Sequence, residues 1–279
     1  MCILFWSLDR HPDYQFVFAG NRDEYLHRPT ARAQFWDPPH DHVLAGRDLS
    51  PSATATHDGT WLGFTKDGRF AALTNYREEL KVGKLSRGYL VRDYLIDHES
   101  PESYMESLQE HKDDFGGFNL ICGQLGKSPS LFYTSNRGDE KVTEIQPGKT
   151  YGLSNSVLPQ PWDKVKRGES NFQTILDTVK DKDDLIEALF NMMRESCPYS
   201  GSTDALWEEV KKTIFVSKFQ VGNLSYATRA TTIVLVDYNG RATFIEREWY
   251  KSTSEVSHQL HFEGDSGDPQ RRYDFDLSK

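Results

Sequence analysis

Two parts of the N-terminal sequence carry residues that could do chemistry together. Cys2 directly follows the initiator methionine, and the polar run Asn21-Arg22-Asp23-Glu24 comes at the end of the apolar stretch "FVFAG". An ordinary surface turn does not need an arginine between carboxylates. The pattern therefore predicts a polar site in which these four residues approach Cys2. The alternative is a salt-bridged turn, which contributes little to chemistry.

Cys2 can act as a nucleophile if Met1 is removed, as we expect for an initiator before a small residue. Its α-amine would then have a pKa near ~7.7–8.0, so a useful neutral fraction could take the proton of the thiol. One residue would supply both nucleophile and base. The alternative is that Cys2 is only a small apolar residue at the start of the first strand, because buried cysteines are common.

Six short motifs follow one another along the chain: "MCILF", "AGNRDEYLHRP", "GTWLG", "FAALTNY", "YGLSNS" and "TRATTIVLVD". In this order they resemble the NRDE-domain family, the transport and Golgi organization protein 2 homologues, and the resemblance runs from Met1 to at least Glu248. That family is similar in turn to N-terminal nucleophile hydrolases of the bile-salt hydrolase and penicillin V acylase type. The resemblance implies one NRDE domain over residues 1–279 and an α+β fold, a four-layer αββα sandwich with antiparallel sheets.

The hydrolase pattern also implies roles for individual residues. Asp23 would orient the amine of Cys2, and Asn75 and Asn155 stand at strand ends where the hydrolases place side-chain amides. One such amide could donate to an oxyanion and the other could orient the amine. The implied catalytic set is Cys2, Asp23, Asn75 and Asn155. The alternative for both asparagines is that they simply favour turns.

One departure from the hydrolases concerns their Gly-Arg-Asn-x-Asp motif. Here Gly20 occupies the arginine position, and Arg22 comes two residues later, on the same face of a strand but about 6.6 Å further along. The positive charge is retained but the guanidinium is directed to a different position along the strand, which favours an anion-binding pocket over hydrolysis. The predicted ligand-binding residues are Asn21, Arg22, Glu24, Arg28 and Arg229, although Arg229 fits a surface arginine at a strand start equally well.

Two functions of different classes follow. In the first, the protein binds or handles an amphipathic anionic small molecule, acyl-coenzyme A, another lipid or haem, which the resemblance links to lipid and haem homeostasis and to Golgi organisation. In the second, it is a cysteine hydrolase that cuts an amide or thioester bond through Cys2. Neither function requires a resident cofactor.

Composition excludes several other classes. The 279 residues carry a net charge of −9 without a basic block, which argues against nucleic acid as a partner. No apolar run approaches the ~18 residues of a membrane span, so no transmembrane segment is predicted.

Three cysteines fit a reducing compartment. His40 and His42 lack a third ligand at metal spacing, so no metal site is predicted. We expect a cytoplasmic protein, with association with mitochondria or the Golgi implied by the resemblance.

The elements that must position these residues are hairpins alternating with helix pairs. Strands are predicted over residues 3–8 and 15–19, and hairpins turn at Asp67-Gly68 and Asn239-Gly240. Helices are predicted over residues 86–98, 100–111, 168–180 and 183–194, and the final "RRYDFDL" alternates like an edge strand. Residues 49–59 and 262–270 read as loops. Such an order favours antiparallel sheets with segregated helices.

Overall fold

Two antiparallel sheets form the centre of the computed structural model, which describes residues 2–50, 59–78, 83–138, 141–197, 203–252, 258–260 and 270–278. Sheet A has the strand order β10-β1-β2-β12-β13-β16, with β11 paired to β12. Its strands are β1 (Cys2–Leu8), β2 (Tyr14–Tyr25), β10 (Thr150–Leu153), β11 (Phe219–Val221), β12 (Leu224–Asp237), β13 (Arg241–Glu248) and β16 (Gln270–Asp276).

Sheet B is a meander in which each strand pairs with the next along the chain. Its strands are β3 (Thr30–Phe35), β4 (Val43–Asp48), β5 (Leu62–Thr65), β6 (Arg69–Asn75), β7 (Phe118–Gln124), β8 (Ser130–Ser135) and β9 (Thr143–Glu144). A separate ribbon pairs β14 (Tyr250–Ser252) with β15 (His258–Leu260). The helices are α1 (Gly88–Ile96), α2 (Pro101–Gln109), α3 (Asp163–Thr178), α4 (Lys182–Met193) and α5 (Thr203–Val210), with a 3-10 turn at Lys112–Asp114.

Three apolar layers hold the sheets and helices together. Between the sheets, Phe16 and Phe18 of sheet A meet Phe70 of sheet B with ring centroids 4.9 and 5.0 Å apart. A second layer packs α3 and α4 on the other face of sheet A, and a third packs α1 and α2 on sheet B. The result is the four-layer αββα sandwich that the family resemblance implies. No helix among the described residues is long and apolar enough to cross a membrane.

The predicted hairpin turns are confirmed, because Gly68 and Gly240 adopt φ values of 91° and 84°, which other residues rarely tolerate. The start of α2 is also as predicted: Ser100 caps it by accepting the Ser103 N–H at 3.1 Å, with Pro101 in the first turn. The final strand, β16, lies at the edge of sheet A. Of the predicted loops over residues 49–59 and 262–270, residues 51–58 and 262–269 lie outside the described residues, and Gln270 begins β16.

Two boundaries differ from the prediction by more than two residues. Strand β2 does not stop before the polar run but continues to Tyr25, because β1 and β12 pair with it on both sides and satisfy its backbone. Helix α3 begins at Asp163, five residues before the predicted start at Gly168. Strands β3 and β4 have no counterpart in the prediction. The first difference determines how the site is arranged, because residues within a strand alternate between its two faces, and the polar run is therefore divided between them.

Candidate functional site

The inner face of sheet A carries the thiol. Cys2 stands directly opposite Arg22 in the β1–β2 register, so their side chains share one face. They line a narrow pocket between the sheets, whose other lining residues are Leu4, Gly20, Asn21, Trp61, Leu62, Leu73 and Thr232. The pocket has room for about one water molecule. Two of the lining residues, Arg22 and Trp61, contact each other.

Arg22 is 8% exposed, and its guanidinium lies over the Trp61 ring with the central carbon 3.9 Å from the centroid. This is a cation–π contact in a largely desolvated place. Among the described residues, Arg28 and Arg32 each have a carboxylate within 4.0 Å, whereas none is found for Arg22. The charge of Arg22 acts on Glu246 of β13.

Glu246 is 4% exposed, and its Oε1 accepts the Ala33 N–H from β3 at 2.8 Å. Burial raises the pKa of Glu246 to about 7, and the charge of Glu248 adds to this, while Arg22 acts in the opposite direction. A carboxyl group that titrates near neutrality therefore lies close to the pocket arginine.

The outer face of β2 carries Asn21, whose side chain is fully occupied by structural bonds. Its Nδ2 donates to the carbonyls of Met193 (2.8 Å) and Ile214 (3.0 Å), and its Oδ1 accepts from Thr231 Oγ1 (2.6 Å). The amide thus fastens β2 to the end of α4. These bonds leave it no donor for a ligand.

Asp23 lies on the same outer face and is 2% exposed. Its Oδ1 accepts from Thr228 Oγ1 at 2.7 Å. Burial raises the pKa of Asp23, and the charge of Lys164 acts in the opposite direction. Lys164 comes from the first turn of α3, is fully buried, and donates from Nζ to the Val210 carbonyl at 3.0 Å. Burial lowers the pKa of Lys164 to about 8, against the opposing influence of Asp23 and Cys2.

Burial also raises the pKa of the Cys2 thiol. A hydrogen bond from the Asp23 backbone N–H and the charge of Arg22 oppose this effect, and the Asp23 carboxylate reinforces it. The thiol is therefore held mainly in its protonated form at neutral pH, so a nearby base would be needed to generate the thiolate.

Asn155 joins Cys2 to sheet B. Its Oδ1 accepts the Cys2 N–H at 3.3 Å, and its Nδ2 donates to the Asn75 carbonyl at 2.6 Å. A backbone N–H can only donate and a backbone carbonyl can only accept, so the orientation of this amide is unambiguous. Asn155 therefore presents an acceptor to the Cys2 nitrogen, which suits orienting an amine and not stabilising an oxyanion. Asn75 contacts Asn155 through its backbone carbonyl, and not through its side-chain amide.

The remaining predicted residues lie beside the pocket and not in its lining. Arg28 forms an ion pair with Asp48 at 2.7 Å and lies 3.7 Å from Glu24, whose Oε1 accepts the Tyr25 N–H. Arg229 occupies an irregularity of β12 and donates to the Arg28 carbonyl at 2.5 Å. Burial lowers the pKa of Arg229 to about 10. These side chains hold the chain segment that follows β2.

Three residues of the site were not assigned a role from the sequence: Trp61, Lys164 and Glu246. Trp61 belongs to the "GTWLG" motif, so a signal was present. Lys164 was missed with the start of α3, although Val165, Phe172 and Leu176 keep helical spacing. The side chains of the described residues include no group of three or more His, Cys, Asp or Glu that could hold a metal ion.

Comparisons with known proteins agree on one family. The family model described as "Transport and Golgi organisation 2" matches residues 1–251. Transport and Golgi organization protein 2 homologues from Bos taurus and Homo sapiens are each 34% identical, over 88% of this chain and 92% of theirs. The Drosophila melanogaster protein is 27% identical over 93% of this chain and 99% of its own.

The comparison with solved structures matches the chain to a variant of conjugated bile acid hydrolase from Clostridium perfringens. It has a TM-score of 0.48 and 10% identity, over 99% of this chain and 98% of that chain. Penicillin V acylase from Agrobacterium tumefaciens has a TM-score of 0.46 and 13% identity, over 88% and 83%. The family match covers most of the sequence, and the chain belongs to the Transport and Golgi organisation 2 family.

Proposed function

We propose that this protein binds an amphipathic anionic small molecule in the pocket between Cys2 and Trp61. The observation that carries the proposal is Arg22. It is 8% exposed, lies against an aromatic ring and lines an otherwise largely apolar pocket. A desolvated guanidinium favours a carboxylate or phosphate because charge-assisted hydrogen bonds are strong where water does not compete.

The other predicted arginines support this choice by contrast. Arg28 is paired with Asp48, and Arg229 donates to a backbone carbonyl, so an anion would have to break existing bonds to reach either. Arg22 could accept an anion without such a loss. It is therefore the arginine best suited to recognise the ligand.

The apolar part of the ligand would lie along Leu4, Leu62 and Leu73, which line the same pocket. Because the space holds about one water molecule, the Trp61 ring must move before an acyl chain or porphyrin can enter. Acyl-coenzyme A, other lipids and haem are the ligand classes that we propose. The relatives are named for transport and Golgi organisation, and we propose that the ligand is handled in that context.

Calorimetric titration with palmitoyl-coenzyme A, oleate and haemin tests the proposal. Arg22→Ala should weaken binding of at least one probe by about 1.5–3 kcal/mol, or roughly 10- to 150-fold, for a lost charged hydrogen bond. Arg32→Ala is the matched control, because Arg32 is paired with Glu248 and is absent from the pocket lining. Equal affinity in wild type and Arg22→Ala for every probe that binds, or no binding of any probe, would contradict the proposal.

A second candidate function, hydrolysis of an amide or thioester, is favoured by the bond from Cys2 N–H to Asn155 Oδ1. With Met1 removed, that nitrogen would be a free amine held by an acceptor, and Asp23 lies close by. The amine would take the thiol proton while Sγ adds to the acyl carbonyl. The leaving amine or thiol would receive that proton, and water would then hydrolyse the acyl-enzyme.

Intact mass and turnover together test this second candidate. If it holds, the mature chain lacks Met1, palmitoyl-coenzyme A or an acyl amide is hydrolysed, and Cys2→Ala abolishes hydrolysis while the fold is kept. If the protein only binds, Cys2→Ala leaves the affinity within a few-fold. Retention of Met1 would block the amine and exclude this mechanism, and turnover that persists in Cys2→Ala would exclude Cys2 as the nucleophile.

A further inference from the structure

A chain of buried hydrogen bonds leads from sheet B to the backbone of Cys2. The Tyr133 hydroxyl donates to Asn119 Oδ1 (2.8 Å), and Asn119 Nδ2 donates to Thr74 Oγ1 (3.0 Å). Thr74 Oγ1 donates to the Ser154 carbonyl (2.5 Å), and Ser154 Oγ donates to the Cys2 carbonyl (2.8 Å). Tyr133, Asn119 and Thr74 are at most 1% exposed, so water does not compete for these bonds.

The direction of every bond in this chain is fixed. The Leu158 N–H donates to the Tyr133 oxygen at 3.1 Å, which leaves the hydroxyl proton for Asn119 Oδ1. The Asn119 amide is thereby oriented with its nitrogen towards Thr74 and the Ser156 carbonyl, at 3.0 Å each. Because Thr74 Oγ1 accepts from Asn119, its own proton goes to the carbonyl of Ser154. Each of these bonds thus has a fixed donor and acceptor, and the Ser154 hydroxyl also lies 3.2 Å from Asn155 Oδ1.

These hydrogen bonds hold the residues on both sides of Asn155 in place. Thr74 holds the carbonyl of the residue before it, and Asn119 holds the carbonyl of the residue after it. Asn155 itself spans from the Asn75 carbonyl to the Cys2 nitrogen. Displacing residues 154–156 would therefore displace the acceptor that faces Cys2.

We infer that Tyr133 and Asn119 are positioning residues for the Cys2 site, acting through residues 154–156. Neither side chain lines the pocket. They set the place of Asn155 and, through it, the end of β1. The inference rests on the geometry around Cys2 and not on the ligand or reaction that the site serves, so it can fail independently of the proposed function.

Loss of the Tyr133 hydroxyl has a definite consequence for Cys2. The Leu158 N–H and Asn119 Oδ1 would lose a buried partner, which destabilises the native arrangement of residues 154–158. The start of β1 would then be held less firmly, and the thiol of Cys2, a residue of intermediate exposure, would gain further access to water. Since burial raises the pKa of this thiol, the pKa should fall and alkylation should become faster.

The experiment measures the iodoacetamide alkylation rate of Cys2 against pH, by peptide mapping, in Tyr133→Phe and wild type. We expect Cys2 in Tyr133→Phe to react at least about threefold faster at pH 7.5, because a less buried thiol ionises more readily. Tyr94→Phe is the matched control: Tyr94 is also fully buried, and its hydroxyl donates to the Gly123 carbonyl at 2.8 Å in the outer layer of sheet B. It should leave the Cys2 rate unchanged.

Cys122 provides an internal reference, because it is fully buried in β7 and reacts only if the core of sheet B opens. Thr74→Val, which removes the bond to the Ser154 carbonyl with little change of volume, replaces Tyr133→Phe if that variant does not fold. Faster labelling of Cys2 with Cys122 still protected supports the inference. The inference is overturned if the alkylation rate of Cys2 is unchanged in the folded variant, or if the rates of Cys2 and Cys122 rise by the same factor.

Discussion

Replacing Lys164 by methionine should change how stability depends on pH. Lys164 is fully buried in the first turn of α3, and burial lowers its pKa from 10.5 to about 8. At 1.36 kcal/mol per unit, the charged form is disfavoured in the folded state by roughly 3 kcal/mol relative to the unfolded chain. Methionine has a similar length and carries no charge, so it removes this contribution at every pH.

The sign follows from proton counts. Between pH 8 and 10.5 the unfolded chain keeps its proton on Lys164 while the folded chain has lost it, so the free energy of unfolding rises with pH. Below pH 8 both states are protonated and the full cost of burying the charge is present. The wild-type free energy of unfolding, minus that of Lys164→Met, should therefore increase by roughly 3 kcal/mol from pH 8 to 10.5.

Urea unfolding with linear extrapolation at several pH values measures this difference. Lys166→Met is the matched control, since Lys166 is exposed on the same helix and its removal should leave no such slope. Lys164→Met also loses the hydrogen bond to the Val210 carbonyl. That loss changes the difference in the free energy of unfolding by the same amount at every pH and adds no slope. A difference that stays flat or falls between pH 8 and 10.5 would refute the assignment of a buried, destabilised ammonium group.

Three further substitutions have effects whose direction is fixed by the structure. Burial raises the pKa of Glu246 to about 7, so the stability that its protonated form contributes is present below about pH 4.5 and is lost as pH rises through 7. Relative to Glu246→Gln, the free energy of unfolding of wild type in urea should fall by up to roughly 3 kcal/mol over that range. A difference between the two proteins that stays constant with pH would contradict this. A Cβ on Gly20 would lie 2.8 Å from Phe18 Cζ and 2.9 Å from Leu4 Cδ2, so Gly20→Ala should destabilise by about 1–3 kcal/mol in thermal or urea unfolding. Gly20→Arg should destabilise for the same reason, and a variant as stable as wild type would show that the space adapts.

The sequence predicts much of this fold because its local signals agree with its long-range pairing. Asp67-Gly68 and Asn239-Gly240 specify their hairpins, and Ser100 with Pro101 specifies the start of α2. Strands β3 and β4 were not predicted, since "TARAQF" and "VLAGRD" mix charge and small residues and gain their pairing only from sheet B.

The site was predictable in part. Cys2, Arg22 and Asp23 do lie together, because the register of β1 against β2 brings them there. The polar run Asn21-Arg22-Asp23-Glu24 was expected at a strand end, and its place within β2 divides it between two faces. This division could not be derived from the residues alone, since a buried polar strand is stable only with partners such as Thr228 that are distant in sequence.

Protection of Cys2 by a bound ligand tests the central claim most directly, because Cys2 and Arg22 line the same pocket. The measurement is the iodoacetamide labelling rate of Cys2 with and without palmitoyl-coenzyme A at a concentration that saturates wild type, with Cys197 as the internal reference. We predict that the ligand slows labelling of Cys2 about tenfold or more in wild type and leaves Cys197 unchanged. At the same concentration, protection should be largely lost in Arg22→Ala and retained in Arg32→Ala. Binding of palmitoyl-coenzyme A that leaves the Cys2 labelling rate unchanged would contradict the proposed pocket.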